Sequence, residues 1–98
     1  MNLEAVSKLL DEAEAILDSH PPGNNPEALR ELKQVASALL VASDNNAVID
    51  IKSSSMIECA ETVYAPRKRK QWTREEAAHF AAHDLASMRQ LVQEFRSV

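Results

Sequence analysis

Apolar residues recur at helical spacing, without a break, through residues 73–97. Ala78, Ala81, Leu85, Met88, Val92 and Phe95 follow one another at steps of 3, 4, 3, 4 and 3, which lays them in one stripe along a helix. Thr73 is suited to cap that helix, and Glu76 three positions on completes a capping box. A second stripe runs through Leu3, Val6, Leu10, Ala13 and Leu17, widened by Leu9 and Ile16, with Asn2 as its cap and an end near Ser19. The stretch His20-Pro21-Pro22-Gly23-Asn24-Asn25 then breaks the chain. Asn25 followed by Pro26 reads as an N-cap with proline at the first helical position. The helix they open carries Leu29, Leu32, Ala36 and Leu39 on one face and runs to about Ser43. A connection this short predicts that the first two helices pair as an antiparallel hairpin.

The next stretch has a less regular pattern. Asp44-Asn45-Asn46 is a second break, and residues 47–52 fit either a short strand or one helical turn. Ser53, Ser54 and Ser55 read as turn and cap residues, with Ser55 and Glu58 forming a possible capping box. Met56, Ala60 and Val63, with Ile57 and Tyr64, then predict a short helix ending at Ala65-Pro66. A hairpin of two short strands, 47–52 and 57–64, is the competing reading. The expected fold is all-α, a small helical bundle in a single domain spanning 1–98. It comprises an N-terminal helical hairpin, a short third element and a long C-terminal helix.

Composition sharpens this picture. One Gly among 98 residues argues against the many tight turns of a sandwich or barrel. One Cys excludes an internal disulfide. Only Tyr64, Trp72, Phe80 and Phe95 are aromatic, so the core must be built from small aliphatic side chains. Such a core buries little area per residue, and burial against a second copy, a homodimer, is expected. The amino-terminal stretch is acidic and amphipathic, unlike a secretory signal, and the uncharged stretch 34–43 is too short to span a bilayer. A cytoplasmic protein without a membrane partner is expected.

The net charge of −4 is unevenly spread. Residues 1–19 set Lys8 against Glu4, Asp11, Glu12, Glu14 and Asp18, whereas 66–74 holds Arg67, Lys68, Arg69, Lys70 and Arg74 with no acid. This basic segment, 67–74, leads directly into a helix N-terminus, where cations and unpaired backbone N–H groups together favour an anionic partner. Trp72 sits within it, and Phe80 lies off the apolar stripe of the helix that follows. Arg67, Lys68, Arg69, Lys70, Trp72, Arg74 and Phe80 are therefore the candidate partner-binding residues, by basic steering and an aromatic anchor. The alternative is a solvated basic linker with Trp72 in the core.

The function expected is that of a small non-catalytic accessory protein: an adaptor, regulator or inhibitor of a larger protein with an acidic surface. A nucleic-acid-binding regulator using the same segment is the runner-up. A metal-dependent helical-bundle enzyme is a third class, raised by Glu76, His79 and His83 at helical ligand spacing. At about 100° per residue these three fall within about 60° of one another, opposite Ala78, Leu85 and Val92, so they face outward. No catalytic residue, metal or cofactor is expected. Cys59 sits among Ile57, Ala60 and Val63 as a buried structural thiol does.

Overall fold

A computed structural model describes residues 1–66 and 72–97. Among them are four α-helices and no strand: α1 Leu3–Ser19, α2 Pro26–Ala42, α3 Ala47–Tyr64 and α4 Arg74–Arg96. Each helix packs on its two neighbours in a closed ring, α1 on α2, α2 on α3, α3 on α4 and α4 on α1. Contacts between chain segments set the directions. The Asn2 N–H donates to the Ala42 carbonyl at 2.8 Å, which joins the start of α1 to the end of α2. The Asn25 N–H donates to the Tyr64 carbonyl at 2.7 Å, which joins the start of α2 to the end of α3. The result is an up-down-up-down four-helix bundle, 42 × 21 × 20 Å, as the all-α reading of the pattern requires.

Caps define the helix starts. Asn2, Asn25 and Thr73 accept from the backbone N–H groups of Ala5, Ala28 and Glu76 respectively. The core runs down the bundle axis through Val6, Leu10, Leu32, Leu39, Ile49, Met56 and Met88, all fully buried. On α4 the buried line is Ala77, Ala81, Leu85, Met88 and Val92, so the stripe is turned slightly from Ala78 towards Ala77. Phe95, expected in that stripe, is 45 % exposed. The reason is length: α4 has 23 residues against 18 in α3, and its last turn runs past its neighbour.

The third element departs from expectation. It is neither short nor divided at the serines, but one continuous 18-residue helix. Asn46 is its cap, accepting from Val48 N at 2.9 Å and Ile49 N at 3.2 Å. Its buried line is Ile49, Ser53, Met56, Ala60 and Val63, at steps of 4, 3, 4 and 3. One serine at a core position conceals that period, and the Ser53 hydroxyl is satisfied by donating to the Asp50 carbonyl at 3.3 Å. The turn before α3 is made by Asp44 and Asn45, with φ of 55° and 56°. These are residue types whose short polar side chains make left-handed backbone accessible.

The carboxyl end of α3 is the hub of one end of the bundle. The Val63 carbonyl accepts from Gly23 N at 3.0 Å and from Arg74 Nη1 at 2.8 Å. The Tyr64 hydroxyl donates to the His20 carbonyl at 2.9 Å. These bonds satisfy helix-end carbonyls and place a cation at the negative end of the helix dipole. They also fix where the chain re-enters at Trp72 to begin α4. No helix among the described residues is long and apolar enough to cross a membrane.

Candidate partner-binding surface

The start of α4 is rigidly built. Thr73 Oγ1 accepts from Glu76 N at 3.0 Å, and Thr73 N donates to Glu76 Oε1 at 3.0 Å, a reciprocal capping box. Trp72 is held immediately before it, and Phe80 stands two turns into the helix. Their ring centroids are 4.8 Å apart at an interplanar angle of 59°. His79 extends the group, its ring 6.3 Å from Phe80. Trp72 and Phe80 are each 39 % exposed, so Trp72 lies outside the core and rests on Phe80 at the surface. Two of the chain's four aromatic side chains therefore form one outward-facing pair in mutual contact.

Of the remaining candidates, Arg74 is half-buried and bonds the Val63 carbonyl, so it ties α4 to the end of α3 while flanking the aromatic pair. Arg67, Lys68, Arg69 and Lys70 lie outside the described residues. Phe80 and Leu91 sit on the same flank of α4, but Leu91 is half-buried against the core whereas Phe80 is not.

Glu76, His79 and His83 are exposed on the outer face of α4, and Glu76 is engaged in the capping box. Among the described residues no group of three or more His, Cys, Asp and Glu converges where a metal ion could be held. Cys59 is 3 % exposed. A groove of about 370 Å³ lies between α1 and α4, bordered by Asp18, His20, Tyr64 and Arg89. The Tyr64 hydroxyl there is already bonded to His20. Burial pushes its pKa above the ordinary value, and the Asp18 carboxylate adds to the effect, which keeps the phenol neutral. Arg89 bonds Asp11 at 2.9 Å and also Glu14. Burial opposes its charge, but the hydrogen bonds to the two carboxylates outweigh that and push its pKa up.

Asp84 stands in the sequence beside the outward-facing His79 and His83, but the fold turns it inward. It is 7 % exposed, and among the described residues its Oδ2 has no hydrogen-bond partner. The available signal is a second line on α4, Ala77, Phe80, Asp84, Ser87 and Leu91 at steps of 3, 4, 3 and 4, alongside the core stripe. No protein-family model matches the chain, and no curated protein and no solved structure matches it either.

Proposed function

We propose that this chain is a small non-catalytic accessory protein, an adaptor, regulator or inhibitor that acts in the cytoplasm by binding a larger protein with an acidic surface. The observation that supports the reading is the half-exposed, mutually packed Trp72–Phe80 pair at the end of the basic segment. Rigid aromatic side chains lose little conformational entropy on contact and dominate binding hot spots. Arg67, Lys68, Arg69, Lys70 and Arg74 add five positive charges to an otherwise acidic chain, which steers an acidic partner to that end. Self-association as a homodimer belongs to the same proposal.

The test is a capture experiment with wild-type bait beside Trp72→Ala and Phe80→Ala baits. A partner protein retained by the wild type and reduced at least about tenfold by either substitution, with helicity by far-ultraviolet circular dichroism unchanged, is the expected result. Loss of helicity in Trp72→Ala would show a framework role instead. Retention on duplex DNA at low salt, removed by the same substitution, would transfer the site to nucleic acid.

A further inference from the structure

On the opposite side of the bundle, α1 and α2 enclose a groove of about 430 Å³. Its floor is apolar, made by Leu9, Ile16, Val35 and Ala38, and its rims carry Glu12 from α1 and Glu31 from α2. The Asn2–Ala42 hydrogen bond sets the register of the two antiparallel helices, and it brings Glu12 and Glu31 to within about one residue of the same level. Two carboxylates thus border one apolar trough from both sides. Among the described residues neither is in an ion pair. Of the nearby cations, Arg30 is directed towards Glu27 at 3.9 Å and Lys33 towards Glu61 of α3 at 3.8 Å, while Lys8, one turn before Glu12, is exposed and forms no ion pair among the described residues. The apolar surface continues beyond the groove. Val41 follows Gln34 and Ala38 on the same line of α2 and is 79 % exposed, more than any other large apolar residue described.

Like charges across a trough repel each other and cost stability, which a cation placed between them reverses. We propose that this groove docks a basic amphipathic helix of a protein partner. The apolar residues of that helix lie on Leu9, Ile16 and Val35, and a Lys or Arg is placed between Glu12 and Glu31. Val41 extends the apolar contact at the end of the groove. A second copy is a poor occupant, because no described helix of this chain has a basic face; α4, which has the most arginines, commits Arg74 and Arg89 to contacts within the bundle. The site is separate from the Trp72–Phe80 surface, so the protein has two faces of opposite preference, as a bridging adaptor requires.

The probe is a synthetic Leu/Lys peptide of about 18 residues patterned as an amphipathic helix, titrated into the full-length protein by calorimetry and followed by backbone amide NMR. Binding is expected to shift the amides of Leu9, Ile16, Val35, Ala38 and Val41. It is expected to fall at least about tenfold in Glu12→Lys/Glu31→Lys and to persist in Glu58→Lys/Glu94→Lys, which makes the same charge change on α3 and α4. Glu12→Gln/Glu31→Gln, which adds no new charge, is expected to weaken binding in the same direction and serves if the reversal variant does not fold. Equal loss in the Glu58/Glu94 control, amide shifts elsewhere, or no binding would overturn the proposal. Self-association of the chain alone that Glu12→Lys/Glu31→Lys abolishes would assign the groove to a second copy and overturn it too.

Discussion

Tyr64 connects burial, hydrogen bonding and pH dependence in a single residue. Its ring is 1 % exposed, its hydroxyl donates to His20, and burial together with Asp18 raises its pKa. The protonated phenol is the neutral form, so the fold favours it more than the unfolded chain does. The stability this adds is complete below the unfolded value of about 10 and is lost as pH rises through the higher folded value. Melting temperature is therefore expected to fall above about pH 10. Tyr64→Phe should flatten that dependence and cost about 1 kcal/mol at neutral pH through the lost hydrogen bond. Tyr64 is the chain's only tyrosine, so ultraviolet difference absorbance reads its ionisation directly. Asp84 makes the opposite kind of contribution. A buried carboxyl oxygen without a partner bears its desolvation cost unrelieved, and an apolar residue of similar size removes that cost. Asp84→Leu is expected to gain about 1–2 kcal/mol in urea melts; a loss would show that the carboxyl group holds α4 in place.

At the scale of elements, what was legible follows from how cleanly each helix separates core from solvent. α1, α2 and α4 announce themselves because Val6 and Leu10, Leu32 and Leu39, and Leu85 and Met88 keep the period, and because Asn2, Asn25 and Thr73 stand where a cap must. α3 buries Cys59, Thr62 and Tyr64 besides its main line, and Ser53 interrupts that line. A wide buried face with a serine in it has no sharp period, which is why α3 resembled a broken element. Its start rests on one side chain: Asn46 satisfies two backbone N–H groups at once. Asn46→Ala should cost about 1 kcal/mol, whereas Ser53→Ala should be neutral or stabilising because it exchanges a buried hydroxyl for a better helix former. The candidate contact surface was legible in part. Phe80 showed as off-stripe, and its pairing with Trp72 depends on how the chain re-enters α4 after α3, which Arg74 helps to set. Asp84 was hidden because its neighbours His79 and His83 are on the outer face.

For the molecule as a whole, the ring of four helices has three seams bridged by connecting segments and one, α4 against α1, that is not. That seam also carries the groove lined by Ala78, Ala82 and Ala86, whose small side chains leave it thinly packed. Arg89 crosses it, with Nη2 bonded to both Asp11 and Glu14, and so joins the first helix to the last. The guanidinium is partly exposed, which limits what each pair is worth; a two-carboxylate contact of this kind contributes about 1 kcal/mol at low salt. Arg89→Met keeps most of the apolar stem and removes the charge, so the cost should be electrostatic in character. Wild type and variant are expected to differ by about 1 kcal/mol at low ionic strength and to converge near 1 M salt, where charges are screened within about 3 Å. A gap unchanged by salt would mean that Arg89 acts through packing of its stem. Either way hydrogen exchange should register the change first in α1 and α4 rather than in α2 and α3, because opening the ring at its unconnected seam removes one neighbour from α1 and from α4 and none from α2 or α3.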